Sequence, residues 1–262
     1  MQIKTAGPTR DSTRSTASPR PGLTMLALAL WALPAWSAPA PADYPKMAPL
    51  AKYLSADQAS EIALARSAAP RSISAHATVL TLGKQGYETA VKGSNGFVCF
   101  VERSWANDFD NGQFWNPKIR TPQCWNAAAA SSLLPDYLNR TRWVLAGVPR
   151  DEMTARTKAA FANHEVGPPA PGSMAYMLSK DQYIVDTTPP GREDWYPHVM
   201  FFVAATDGSP WGANVNGGPL FSTTSDVEPV TTYFVLAPKW SDGTLGPYAT
   251  RAGKSQEHHH HG

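Results

Sequence analysis

The stretch ATVLTLGKQGYETAVKGSNGFVCFVER, from Ala77 to Arg103, decides the fold class. It contains three short runs rich in β-branched, aliphatic and aromatic residues, separated by two Gly-containing turns, a pattern typical of consecutive strands. The second turn contains Asn95-Gly96, a strong hairpin signal, which predicts that the second and third runs pair antiparallel. In the third run, apolar side chains alternate onto both faces, which predicts a strand in the interior of a sheet.

The flanking sequence adds helices and further strands. Ser55 and Gln58 match a capping box, which predicts a helix over Ala56–Ala68. Further helices are predicted over Ala127–Leu134, Pro135–Val144 and Arg150–Asn163. Further strands are predicted over Met174–Leu178, Tyr183–Asp186, His198–Ala204 and Val230–Ala237. The predicted fold is therefore α+β, a mostly antiparallel sheet with a few packed helices and long loops rich in aromatic residues and Pro.

The amino-terminal sequence predicts export. Basic residues precede an apolar run at Leu23–Leu33, and small residues follow, so residues 1–42 match a signal peptide cleaved between Ala38 and Ala42, most favourably after Ala42. An uncleaved anchor is the alternative, although the run is short for a transmembrane helix. We expect residues 43–250 to form one globular domain, residues 251–262 to be a disordered His-rich tail, and the mature protein to be periplasmic or extracellular without a membrane span.

Charge and motifs exclude several functions. The chain carries 23 Lys and Arg and 21 Asp and Glu, and the predicted leader holds four of the basic residues and one acidic residue. The rest is thus close to neutral and has no basic cluster, which argues against a nucleic-acid partner. We find no G-x-S-x-G, S-x-x-K, G-x-G-x-x-G, Walker A or H-E-x-x-H motif, and we predict neither a cofactor nor a metal site.

The two cysteines, Cys99 and Cys124, predict a disulfide, because an even number of cysteines in an exported protein favours pairing. The alternative is two buried thiols. The bridge would tie the aromatic segment Ser104–Trp125, predicted to be a long loop, back to the third strand.

Three polar residues form the predicted catalytic group. Glu102 and Arg103 end an otherwise apolar strand, and His198 opens another one. Charged and titratable groups at strand ends are well placed for acid–base chemistry, provided that they converge. The alternatives are charges at the rim of the sheet and a structural histidine.

Tryptophans in the polar loops form the predicted ligand-binding group. The predicted loops rich in Gly, Asn, Asp and Pro contain Trp105, Trp115 and Trp211, and also Trp125 at the end of the segment Ser104–Trp125. Exposed indole rings offer flat surfaces for sugar rings or apolar ligands. The alternative is that these rings form a small core at the edge of the sheet.

The runs KGSNGFVCFVERSW, FWNPKIRTPQCWN, MAYMLSKDQY, HVMFF and KWSDGT resemble a family of exported bacterial proteins of unknown function. The resemblance implies a shared fold and export, and it brings no catalytic residues.

The sequence predicts three functions, in this order. The first is a periplasmic or secreted protein that binds a small molecule or glycan through aromatic loops. The second is a hydrolase that uses His198 with a carboxylate, and the third is a structural or interaction protein of the envelope. The sequence does not indicate an oligomeric state.

Overall fold

Eight strands form one mostly antiparallel sheet in the computed structural model, which describes residues 44–184 and 196–249. The strands are β1 (Thr78–Gly83), β2 (Gly86–Val91), β3 (Val98–Glu102), β4 (Thr121–Trp125), β5 (Met174–Met177), β6 (His198–Ala204), β7 (Leu220–Thr224) and β8 (Val230–Leu236). The helices are α1 (Gln58–Arg66), α2 (Arg71–Ser74), α3 (Ala127–Ser132), α4 (Leu134–Leu145) and α5 (Arg150–Ala162). The order across the sheet is β2-β1-β3-β4-β5-β6-β8-β7, and the α+β prediction is confirmed.

The connection between β2 and β3 differs from the prediction. β1 forms a hairpin with β2, but β3 pairs in parallel with the other edge of β1, so the predicted hairpin at Asn95-Gly96 is wrong. The turn instead binds the chain that precedes β1: the Ser94 amide donates to the His76 carbonyl at 2.8 Å, and the Asn95 side chain donates to the Ile73 carbonyl at 2.8 Å. These bonds carry the chain around the start of β1 and place β3 in the interior of the sheet, as its two apolar faces predict.

Two strands lie inside segments that the sequence predicts to be loops. β4 falls within Ser104–Trp125 and contains Pro122 and Gln123, which hide the apolar alternation expected of a strand. β7 is a short edge strand within Thr206–Ser225, a segment rich in Gly and Pro. The helix boundary also shifts. Asp57, rather than Ser55, caps α1, because its carboxylate accepts the Ser60 amide at 2.7 Å.

Helices cover the two faces of the sheet near β1, β3 and β4. Helix α1 packs on one face, where Ala65, Val79 and Val101 belong to one apolar cluster. The opposite face contributes Phe100 and Trp125 to a larger cluster that includes residues of α3, α4 and α5. Residues that alternate along one strand therefore point into different environments.

The Cys99–Cys124 disulfide joins β3 to β4 inside the sheet, in agreement with the predicted pairing. The aromatic segment does not depend on this bridge for its position. Trp105, Phe109 and Phe114 are all buried within the larger apolar cluster. We therefore expect reduction of the bridge to leave this segment in place, because the segment is anchored by its own core residues.

Removing the bridge should lower the stability of the whole sheet. We expect the Cys99→Ala/Cys124→Ala variant to lose about 3 kcal/mol of unfolding free energy, because the bond restricts the unfolded chain over a loop of this length. Urea unfolding, followed in parallel by tryptophan fluorescence and far-UV circular dichroism, measures the loss. Coincident curves are expected for the two probes. An earlier fluorescence transition would contradict the anchoring of the aromatic segment, and an unchanged midpoint would contradict the stabilising role.

Several predictions fall outside the described residues. These are the signal peptide, the tail and the carboxyl end of the strand predicted at Tyr183–Asp186; Tyr183 itself forms a bridge with Arg120. Within residues 44–184 and 196–249, no helix combines the length and the hydrophobicity needed to cross a bilayer.

Candidate functional site

A cleft of about 250 Å³ opens on the sheet face opposite α1. Its floor is formed by side chains of β3, β4, β6 and β8, its wall by α4, and its rim by the β7–β8 hairpin. Strand pairing places Trp125, Met200 and Phe234 on this floor, because Trp125 and Met200 both pair with Ala175 and Met200 also pairs with Phe234. The floor is thus apolar and largely aromatic.

Glu102 is the last residue of β3 and lies at the polar end of this floor, where it is 8% exposed. Its Oε2 accepts a hydrogen bond from Gln123 Nε2, and Gln123 Oε1 accepts one from Trp125 Nε1 at 2.5 Å. Burial raises the pKa of the Glu102 carboxyl to about 8, although the positive charge of Arg140 opposes the rise. The carboxyl is therefore mostly protonated at neutral pH.

Arg140, on α4, connects three parts of the cleft. Its Nη1 donates to the carbonyls of Trp105 and Asn107 at 3.1 and 3.2 Å, and its Nη2 forms an ion pair with Glu228 on the β7–β8 hairpin. Its guanidinium lies 4.2 Å from the centroid of the Phe109 ring, within range of a cation–π contact. Arg140 therefore holds the wall, the rim and the loop after β3 together.

Asp136 lies one helical turn before Arg140 and also lines the cleft. It is 8% exposed, and its Oδ1 is shielded from solvent and has no hydrogen-bond partner among the described residues. Burial raises the pKa of the Asp136 carboxyl, and Arg140 partly offsets this effect. A shielded carboxylate oxygen without a donor is costly, which makes Asp136 a natural acceptor for a ligand group.

The structure places Arg103 outside the cleft and corrects its predicted catalytic role. Its side chain is fully buried on the α1 side of the sheet, where Nη2 lies 2.9 Å from Glu61 Oε1. Its Nε donates to the Tyr53 carbonyl at 2.7 Å. Adjacent residues of a strand face opposite sides, so Glu102 reaches the cleft while Arg103 anchors α1.

The structure does not bring His198 to Glu102, so the predicted shared site is also corrected. His198 opens β6, which is separated from β3 by two strands, and three strand spacings amount to about 14 Å. His198 does not line the cleft. Its Nδ1 lies 2.9 Å from the Tyr196 carbonyl oxygen, and burial lowers the pKa of its imidazole.

The predicted aromatic platforms also differ from the structure. Trp105 and Trp115 are 0% and 8% exposed, so the expectation that they present free indole faces is wrong. Trp211 is 69% exposed, but it packs on Tyr233, whose neighbours in β8 point into the cleft, and it therefore lies on the opposite face of the sheet. Trp125 is the predicted loop tryptophan that does line the cleft, from within β4.

Sequence reasoning missed Asp136, Arg140, Gln123 and Glu228. One signal was available for the first two: they occupy buried positions on α4, on the side of the helix that also carries Val144. Two charged residues on the apolar stripe of an amphipathic helix mark a buried polar site. Gln123 and Glu228 carry no comparable signal, because their roles arise only through strand pairing and the ion pair.

Within the part of the chain that the structure describes, no group of three or more His, Cys, Asp or Glu residues is placed to hold a metal ion. Comparisons of the chain with protein-family models, with curated proteins and with solved structures found no match, so the resemblance to a family of exported bacterial proteins stays a prediction.

Proposed function

We propose that this protein is exported and binds a small organic molecule in the cleft on the sheet face. The observation that carries the proposal is the composition of the cleft, an apolar aromatic floor bordered by a few buried polar groups, which is typical of small-ligand sites. At about 250 Å³, the cleft suits a molecule smaller than a typical drug.

The polar groups at one end of the cleft favour one orientation of a bound ligand. Glu102 offers a proton at neutral pH, and the chain of hydrogen bonds through Gln123 to Trp125 holds its carboxyl in place. Asp136, on the α4 wall, has a carboxylate oxygen without a donor among the described residues. A ligand that lies on Trp125 and Phe202 can therefore bind with one polar end toward these two carboxyl groups.

Export is supported by two independent features. The pattern of basic, apolar and small residues over positions 1–42 matches a signal peptide. The Cys99–Cys124 disulfide fits an oxidising compartment such as the periplasm or the extracellular space.

The two other predicted functions have less support. A hydrolase that pairs His198 with Glu102 requires contact between groups that lie on strands separated by two others. An envelope interaction protein would use exposed apolar side chains such as Trp211 and Phe201, which are 69% and 43% exposed. The cleft is the more specific feature, because it combines enclosure with buried polar groups.

Blocking the cleft tests the proposal. Thr223, on the edge strand β7, is exposed and lines the cleft, so Thr223→Trp should fill its mouth without disturbing the core. Thr89→Trp, at an exposed position on the opposite edge strand β2, is the matched control. Saturation-transfer-difference NMR with a library of small polar aromatic and aliphatic molecules measures binding to each variant.

We expect compounds that bind the wild-type protein to lose their signal with Thr223→Trp and to keep it with Thr89→Trp. Compounds that bind all three proteins equally would place ligand binding elsewhere. A library without any binder specific to the open cleft would count against the proposed function.

A further inference from the structure

We infer that the ligand of the cleft carries a primary ammonium group, which the carboxylate of Asp136 receives, and an apolar body that lies on the aromatic floor. The inference rests on the proposed function and names the chemical class of its ligand. It is carried by the charge balance of the cleft, by the unpartnered acceptor at Asp136 and by the aromatic side chains around them.

The charge balance favours a cation. Arg140 is the positive group among the residues that line the cleft, and its ion pair with Glu228 neutralises it. Asp136 on the wall and the exposed Asp108 at the rim remain as acidic groups without an ion-pair partner among the described residues. A cationic ligand would balance this excess of acidic groups, whereas an anionic ligand would add to it.

Arg140 is poorly placed to receive an anion. Its Nη1 is engaged by two carbonyl oxygens, its Nη2 by Glu228, and the face of its guanidinium by the Phe109 ring. Of its five N–H groups, Nε and the second N–H of Nη2 have no partner among the described residues, but Nε is shielded from solvent and Glu228 already neutralises the guanidinium charge that an anion would need. Ligand recognition therefore falls to the acidic groups.

Asp136 provides the specific acceptor. It is more than nine-tenths buried, it lines the cleft, and its Oδ1 has no donor among the described residues. An ammonium group supplies three N–H donors and a positive charge, so one group can satisfy Asp136 and still donate to Glu102 or to a hydroxyl at the rim. A neutral hydroxyl supplies one donor and no charge.

The aromatic lining completes the match. Trp125, Phe202 and Phe234 form an apolar floor beside the carboxylates, and Tyr137 stands next to Asp136 on α4. Such rings cover an apolar body and also attract a nearby cation through their negative faces. The expected ligand class is therefore a small amine with an aromatic or aliphatic body.

A pair of probes of nearly equal size tests the inference. 2-Phenylethylamine and 2-phenylethanol differ in an ammonium against a hydroxyl group, and isothermal titration calorimetry at pH 7 and low ionic strength measures both affinities. We expect wild-type protein to bind the amine roughly tenfold or more tightly than the alcohol, because the amine forms a charge-assisted hydrogen bond. Asp136→Asn should remove most of this preference by weakening the amine while leaving the alcohol unchanged.

Two further variants separate the role of Asp136 from general effects. Asp151→Asn removes an exposed carboxylate of α5 outside the cleft, and it should leave both affinities unchanged. Asp108→Asn removes the exposed carboxylate at the rim, where a change cannot disturb the core, and it should weaken the amine about two- to threefold through lost long-range attraction. The Asp108 variant keeps the inference testable if Asp136→Asn fails to fold.

The outcomes distinguish the two proposals. Equal affinity for amine and alcohol, with both lost in Thr223→Trp, would overturn the ammonium inference and leave the cleft as a binding site. An amine preference that survives both Asp136→Asn and Asp108→Asn would also overturn it. If neither probe binds the wild-type protein, the inference fails, and the proposed function fails with it only if the wider library also yields no binder that Thr223→Trp removes.

Discussion

Replacing Glu102 by Gln is expected to stabilise the protein at alkaline pH and to have little effect at pH 5. The pKa of the carboxyl is about 8 in the folded protein and near its ordinary value of 4.5 in the unfolded chain. Folding therefore takes up a proton between these values, so the contribution of the protonated carboxyl is complete below pH 4.5 and is lost as the pH rises through 8. The total loss is on the order of 5 kcal/mol. Gln mimics the protonated carboxyl, and its oxygen can still accept from Gln123.

Urea unfolding at pH 5, 7 and 9 measures this difference. The unfolding free energies of wild type and Glu102→Gln should nearly coincide at pH 5 and separate progressively toward pH 9, with the variant more stable. Glu88→Gln, at an exposed position of β2, is the control and should follow the wild-type curve. If the unfolding free energies of Glu102→Gln and wild type differed by the same amount at pH 5, 7 and 9, the carboxyl would titrate normally and the cleft would not hold it protonated.

The same buried carboxyl shows what the sequence could reveal. A charge at the end of a strand that is apolar on both faces is unusual, and this local conflict drew attention to Glu102, which the structure places in the cleft. The disulfide was predictable because the chain has two cysteines, which leave one possible pairing, and a leader that predicts export. Both inferences depend on residue types and their immediate neighbours, which the sequence displays directly.

The remaining parts of the site depend on contacts that the sequence does not display. β4 carries Pro122 and Gln123 in an interior strand, so its apolar periodicity is weak, and without β4 the position of Trp125 on the cleft floor could not be inferred. The turn at Asn95-Gly96 does not form the hairpin that its sequence favours, because hydrogen bonds to the chain before β1 fix its position instead. His198 was misplaced because the order of strands across the sheet was unknown.

Replacing Arg103 by Leu is expected to cost about 3–5 kcal/mol of unfolding free energy, because it removes one partner of a buried ion pair. The remaining partner, Glu61, is 2% exposed, and among the described residues its side chain keeps the hydrogen bond from the Leu82 amide, at 3.0 Å. The Tyr53 carbonyl also loses the donor that Arg103 supplies, whereas the Val101 carbonyl loses one donor and keeps the Tyr87 hydroxyl at 2.6 Å. Urea unfolding at pH 7 measures the loss.

Two further variants identify the origin of this effect. The double variant Arg103→Leu/Glu61→Leu removes both charges, so it should recover part of the stability, though not the share that belongs to the hydrogen bonds lost at the Tyr53 and Val101 carbonyls. Arg71→Leu, at an exposed position of α2, should change the free energy by less than about 0.5 kcal/mol. An Arg103→Leu protein with wild-type stability and lost ligand binding would contradict the structural role and return Arg103 to the binding site. The geometry supports the opposite result, because Glu102, the last residue of β3, and Arg103, the extended residue that follows it, point to opposite faces of the sheet, one toward the cleft and one toward α1.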